Sequence, residues 1–458
     1  MLGVIGIIVS LALLVYFAYK GVSVIILTPI LALLAVLLSG SFGLLPVYTE
    51  TYMMSLANYV KQYFPIFLLG AIFGKVMDNT GAANSISNSV AKWLGKEKAI
   101  LAVVVSCAIL TYGGVSLFVV AFAVYPIAVS LYRAAGIPKR LIPASIALGS
   151  FTFTMTALPG TPQIQNAIPM PFFGTNTWAA PIMGIVASIV MFGCGSLWIM
   201  YRARKGMQSG EGFGSAKEKD VKMQTENLPS FGVSILPIIL VLVLNFVLSN
   251  YVFVEGRFDW SWLESFNTTI AKSGGSWSLI VALLIAIITT LILNYKRIND
   301  KLKIVNEGAA GSLPAILNTA TAVGYGNVIS SLAGFEIIKN GLLGISSNPL
   351  VTEGISVSVL AGITGSASGG MSIALGALGD TLTNMAMASG ISPEALHRVA
   401  TIACGGLDTL PHNGAVITLL TVCGLTHKDS YLDIFMVSAV IPTLALIVSI
   451  ILGTIGIV

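Results

Sequence analysis

The chain is 458 residues long, with 9% of them charged, 55% hydrophobic and a mean hydropathy of +0.90. Soluble domains carry about 25% charged residues, so this composition excludes a soluble enzyme and describes an all-α integral membrane protein. The formal net charge of +5 does not point to nucleic acid, because the basic residues sit in short loops where membrane orientation accounts for them.

The first apolar run, Leu2–Tyr19, has neither a basic n-region nor a small-residue cleavage site, so a retained helix is expected. Val22–Leu45 follows as a second run of the roughly 20 apolar residues that cross a ~30 Å hydrocarbon layer. Lys75 and Asp78 stand three residues apart near the end of a later span and read as a local ion pair. Residues 98–133 break the pattern. Ala99–Tyr112 gives one short arm before Gly113-Gly114, Val115–Tyr132 gives a second, and basic residues of the same side (Lys98, Arg133) close both ends. A 14-residue arm rises only about 21 Å, so a re-entrant hairpin with its tip at Gly113–Ser116 is expected. Leu141–Ala157 then reads as a helix stopped within the membrane by Leu158-Pro159-Gly160-Thr161-Pro162-Gln163, a break at 158–163, since Pro and Gly cannot continue it. Trp178–Tyr201 completes a first membrane region, residues 1–202.

The stretch 203–228 is rich in Gly, Ser, Lys and Glu and reads as a flexible cytoplasmic linker. The second region, 229–458, opens with Pro229–Phe253 and Trp277–Tyr295. A second re-entrant hairpin is expected at 354–388, with its tip at Ser366–Ser372. A helix over Glu394–Leu407 is broken at 408–414 (Asp408-Thr409-Leu410-Pro411-His412-Asn413-Gly414), and Tyr431–Val458 ends the chain. The four cysteines (Cys107, Cys194, Cys404, Cys423) have no metal-ligand spacing and read as structural thiols; no metal site is expected.

The two regions resemble each other. Phe73-Gly74-Lys75-Val76 recurs as Tyr325-Gly326-Asn327-Val328, and Gly113-Gly114-Val115-Ser116 as Gly369-Gly370-Met371-Ser372. Ala135-Gly136-Ile137 recurs as Ser389-Gly390-Ile391, and Ala157-Leu158-Pro159 as Thr409-Leu410-Pro411. With the linker placed in the cytoplasm, the positive-inside rule puts both termini outside and runs the second half upside down relative to the first. Two inverted-topology repeats are therefore expected, each with about five spanning helices, one re-entrant hairpin and one broken helix. This plan suits a secondary transporter, which needs two related conformations opening to opposite sides.

A broken helix cannot show its freed backbone groups to lipid, so both breaks should line an enclosed or watery cavity. Lys and Arg are absent from the tips and breaks. The second arm of each hairpin, and a half-helix after each break, would aim helix N-termini at the midplane, each worth about half a positive charge. A small anion, held by hydroxyls and amides, fits that charge. The expected substrate ligands are Gly113, Gly114, Ser116, Thr161, Gln163, Asn166, Ser368, Gly370, Ser372, Thr409, His412 and Asn413. Asp408, Asp380 and His412 are ionisable groups present in only one half, which suits proton coupling. An ion channel would want a continuous polar helix face, and a membrane-embedded enzyme a nucleophile–base or metal constellation. Neither is visible in the sequence.

Gly113–Ser116, Tyr132-Arg133-Ala134-Ala135-Gly136-Ile137-Pro138, the 158–162 break and the Asp408–Gly414 break resemble the GntP family of gluconate-type permeases. Thr409–Gly414 with Leu425-Thr426-His427-Lys428-Asp429 looks closer to its hydroxybutyrate-permease branch. The resemblance implies proton symport of a small hydroxy monocarboxylate (3-hydroxybutyrate- or gluconate-like) in a bacterial cytoplasmic membrane. Through the larger ion-transporter superfamily it also implies a homodimer whose scaffold domain holds an elevator-like transport domain. No cofactor beyond the proton gradient is implied, and sodium coupling is the alternative.

Overall fold

The computed structural model describes residues 2–20, 22–40, 42–214, 227–298 and 300–458. Part of the expected linker, 215–226, lies outside the described residues. Among the described residues the fold is all helical, with no strand. In chain order the helices are α1 (Leu2–Tyr19), α2 (Val24–Leu38), α3 (Leu44–Asn79), α4 (Ala82–Leu94), α5 (Ala99–Tyr112), α6 (Leu117–Ala135), α7 (Ile142–Ser150) and α8 (Pro181–Gln208). There follow α9 (Phe231–Val252), α10 (Ile270–Leu293), α11 (Lys301–Ser331), α12 (Ala333–Leu343), α13 (Pro349–Thr364), α14 (Ala367–Ser389), α15 (Pro393–Cys404), α16 (Gly414–Cys423) and α17 (His427–Thr454).

Among the described residues, only α3, α8, α9, α10 and α17 combine the length and apolarity to cross a membrane. That is fewer than about five per half, because α1, α2, the hairpin arms α6 and α13 and the half-helix α16 each offer an apolar run of only 10–17 residues. The packing is reciprocal between the halves. α3 crosses α11, α2 packs on α11 as α10 packs on α3, and α1 packs on α12 as α9 packs on α4. Glycines let the crossing helices approach: a Cβ at Gly308 would lie 2.8 Å from the Ile72 backbone, and one at Gly324 would meet Tyr52 at 3.0 Å. Lys75 does not form its ion pair with Asp78. It reaches from α3 to Glu307 on α11, at 3.0 Å.

The first hairpin is α5–α6, turned by Gly114 at φ +93°. The second is α13–α14, and its turn comes earlier than expected, at Gly365 (φ +59°) and Ser366. Gly369–Ser372 lies inside α14, and the glycine pair there serves packing instead of turning. A Cβ at Gly370 would sit 2.2 Å from the Ala361 amide of the facing arm. Ser366 caps α14, its hydroxyl accepting from the Gly369 amide at 3.1 Å. The repeated Phe73-Gly74 and Tyr325-Gly326 pairs serve the hairpins too: Gly74 faces Ser116 and Val119 of α6, and Gly326 faces Ile373 of α14.

The broken helices also depart from expectation. α7 stops at Ser150, seven residues before Ala157, and a four-residue turn, Phe153–Thr156, follows. Ser150, Thr152 and Thr154 bond back to the carbonyls of Ile146, Leu148 and Gly149, competing with the helix ladder. α15 ends at Cys404 before Gly405-Gly406, three residues short of Leu407. Beyond the breaks the two halves differ. The second continues as the ten-residue α16, whereas the first makes only two four-residue turns, Ile164–Ala167 and Met170–Phe173. Pro169 and Pro171 remove donors there, and Gly174 (φ +63°) turns the chain away.

Candidate functional site

The two breaks start side by side. A Cβ at Gly405 would lie 2.4 Å from the Thr156 side chain, so the segments leaving α7 and α15 share one junction. Each hairpin tip is then tied to the break of its own half. At the first, Tyr112 donates to the Pro159 carbonyl (2.8 Å), and Gln163 Nε2 donates to the carbonyls of Thr111 (2.8 Å) and Val115 (3.4 Å). Gly114 abuts Pro162, and Gly113 abuts Ile238 of α9. Gly160 (φ +80°) lies flat against the Trp178 indole, where any side chain would collide. At the second, Asn413 Nδ2 donates to the carbonyls of Gly365 (3.0 Å) and Asp408 (2.9 Å), while its Oδ1 accepts from the Ala415 and Val416 amides as the N-cap of α16. His412 stands against Gly365.

Several expected ligands are engaged by the protein. Asn166 is fully buried, donates to the Thr161 and Thr177 carbonyls, and accepts from Arg398 and His397. Thr409 donates to the Gly406 carbonyl and accepts from Ser438. Ser372 donates to the Ser368 carbonyl, and the Ser368 hydroxyl lies 3.3 Å from that of Thr319 on α11. Ser116 precedes α6, does not cap it with its side chain, and is half-buried. Asp380 is exposed on α14, some fourteen residues and about 21 Å of helix beyond the second tip, apart from the break residues.

What remains is a set of buried polar atoms without a hydrogen-bond partner. At the first break and tip these are Thr111 Oγ1, Thr161 Oγ1 and Gln165 Oε1; at the second they are Asp408 Oδ1 and His412 Nε2. A buried polar group left unbonded costs about 1–3 kcal/mol, so each of these atoms is available to a hydrogen-bonding partner. The first break offers hydroxyls and an amide oxygen. The second offers an imidazole, a carboxyl group and the N-terminus of α16.

Three residues that sequence reasoning missed organise this region. Arg398 is completely buried. From α15 it donates to the carbonyls of Ala179 (2.6 and 3.2 Å), Thr156 (3.5 Å) and Thr177 (3.5 Å), and to Asn166 Oδ1 (3.2 Å). It thereby gathers the carbonyls of Ala179 and Thr156, and joins the Gly160 amide and Asn166 on that of Thr177. Beside it, His397 bonds Thr175 (2.6 Å) and Asn166 (3.1 Å). His427 donates from Nε2 to the Pro411 carbonyl (2.9 Å) and holds the second break. No local motif announces these contacts. The run Ile168-Pro169-Met170-Pro171 was the one legible sign that the first break needs outside support. Among the described residues no His/Cys/Asp/Glu cluster could hold a metal ion.

Comparison with known proteins bears on the whole chain. Residues 2–455 match the family model described as GntP family permease. The chain is 44% identical over 450 residues to a transporter of Bacillus subtilis (strain 168), YxjC, covering 95% of both. It is 27% identical over 208 residues, 44% of each chain, to the high-affinity gluconate transporter of Escherichia coli (strain K12). In fold it is similar to the Alcanivorax borkumensis YdaH transporter, whose crystal structure aligns with a TM-score of 0.55 over 88% of both chains at 14% identity.

Proposed function

The chain belongs to the GntP family of permeases, membrane transporters and not enzymes, and we propose that it imports a small hydroxy monocarboxylate, such as 3-hydroxybutyrate or gluconate, together with a proton. The observation that carries this reading is the unpartnered polar atoms at both breaks: Thr111, Thr161 and Gln165 at the first, Asp408 and His412 at the second. Hydroxyl and amide oxygens suit a substrate hydroxyl. The α16 N-terminus and His412 suit its carboxylate. Asp408 can carry the accompanying proton, so that substrate and proton cross with their charges cancelled. A panel of hydroxy acids added to purified protein should raise its melting temperature for 3-hydroxybutyrate or gluconate, and Thr161→Ala should weaken that binding by about 1–3 kcal/mol. No stabilisation by any small carboxylate, or affinity unchanged in Thr161→Ala, would overturn the site. Stabilisation that requires sodium and ignores pH would favour sodium coupling.

In this reading the hairpins and broken helices form the moving unit of a homodimer in a bacterial inner membrane, with the linker inside and both termini outside. α3 and α11 belong to the scaffold, and the halves are inverted repeats. A Cβ at Gly74 would lie 3.9 Å from the Ser116 Cβ, within the Cβ–Cβ range of a disulfide. Gly74→Cys with Ser116→Cys should therefore crosslink on oxidation and halt uptake, and reduction should restore it. Full transport through the oxidised pair would exclude sliding of α6 along α3.

A further inference from the structure

Glu353 was unremarked in the sequence, at the very edge of the second hairpin. It lies in the second turn of α13 and is completely buried, with neither carboxylate oxygen hydrogen-bonded. Ser356, three residues on and so on the same helix face, is buried with its hydroxyl likewise unpartnered. The surroundings at this level are apolar: Gly354 lies against Leu446 and Ile450 of α17, and Leu350, Ala395 and Met183 meet at Gly453.

The charged and titratable groups of the elements packed on α13 are engaged or face elsewhere. On α15, Glu394 accepts from the Ala180 amide, His397 and Arg398 serve the 156–180 segment, and Cys404 bonds Thr401. On α17, Asp433 is held by Arg140 and Arg202, Asp429 by Thr426 and His427 by Pro411, while Lys428 is exposed. Glu336 and Lys339 of α12 pair with each other, Asp380 of α14 is exposed, and α1 has no charged residue. Asp408 belongs to the break reached by α13 at Gly362, which packs on Leu407. Nine residues separate Gly362 from Glu353, about 14 Å along the helix.

An ionised carboxylate in such a place gives up its hydration with nothing in return, whereas the protonated acid has no net charge to bury. Resting on the proton-coupled reading above, we propose that Glu353 is a second proton site of the transport cycle, distinct from the one beside the substrate. The carboxylate takes a proton from water on one side, forming an O–H bond with Ser356 as its neighbouring hydroxyl, and returns it to water on the other. Two protons then accompany one monocarboxylate, and one positive charge moves inward with each turnover.

The test uses the full-length protein in liposomes, with labelled 3-hydroxybutyrate or gluconate, whichever binds. Wild type should take up two protons per substrate, and an inside-negative potential should drive its uptake. Glu353→Gln keeps the size of the side chain and mimics the protonated acid. It should exchange substrate at the wild-type rate, take up one proton, lose its response to potential, and accumulate about ten-fold less at a one-unit pH gradient. A wild type that moves one proton per substrate overturns the proposal even if the variant does not fold. So does a folded Glu353→Gln that still responds to potential, and in both cases proton symport stands. Uptake with no proton at all overturns both readings together.

Discussion

Replacing Arg398 by methionine should abolish transport and lower the melting temperature far more than any single change at the substrate site. Methionine preserves much of the volume, so the loss isolates the guanidinium fork. That fork supplies five donor contacts, to the carbonyls of Ala179, Thr156 and Thr177 and to Asn166 Oδ1. The Thr177 carbonyl and Asn166 Oδ1 keep other donors, whereas the Ala179 and Thr156 carbonyls lose theirs. Each buried acceptor left unbonded costs about 1–3 kcal/mol, a large share of the stability margin of a typical domain. Lysine should not rescue the variant, since a single ammonium cannot span acceptors that a planar fork reaches together. The readouts are thermal unfolding in detergent and substrate exchange in liposomes. Near-wild-type stability in Arg398→Met would show that the 156–180 segment holds its shape unaided.

The reason Arg398 carries so much is the asymmetry between the breaks. After the second, Asn413 caps a regular helix, α16, which satisfies its own backbone. After the first there is no such helix, and the orphaned carbonyls turn to the opposite half for donors. This also explains what was legible in the sequence. Gly and Pro act locally, so Gly113-Gly114 located the first tip, and Leu158–Gln163 and Asp408–Gly414 fall in irregular segments that begin earlier, after Ser150 and Cys404. The second tip was misplaced because the Gly369-Gly370 pair looks like Gly113-Gly114, yet one pair permits a close arm and the other makes a turn. Which face Arg398, His397 or Glu353 presents depends on helices more than a hundred residues away or on the packing of α17, and no periodicity within α13 or α15 encodes it. Likewise Asn166, Thr409 and Asn413 have the chemistry of ligands, and only the fold reveals that their hydrogen bonds go to the protein.

Asp408→Asn should uncouple substrate movement from the proton at the second break. Asp408 is buried, its Oδ1 has no partner, and it sits in the short 3₁₀ turn Leu407–Thr409 directly ahead of His412 and the α16 N-terminus. A substrate carboxylate arriving there meets either a neutral acid or a second negative charge. Two close carboxylates disfavour ionisation of both, so binding and protonation reinforce each other. Asparagine imitates the neutral acid in shape and hydrogen bonding, so exchange of labelled for unlabelled substrate should continue. Net accumulation should suffer. One proton moving down one pH unit supplies about 1.4 kcal/mol, a ten-fold concentration ratio. With the membrane potential clamped at zero, Asp408→Asn should therefore accumulate about ten-fold less than wild type for each unit of pH gradient. Asp380→Asn is the control, since that residue is exposed on α14 away from the breaks, and it should accumulate substrate normally. Normal accumulation by Asp408→Asn alongside failure of Asp380→Asn would move the proton to α14, and normal accumulation by both would remove it from these two acids.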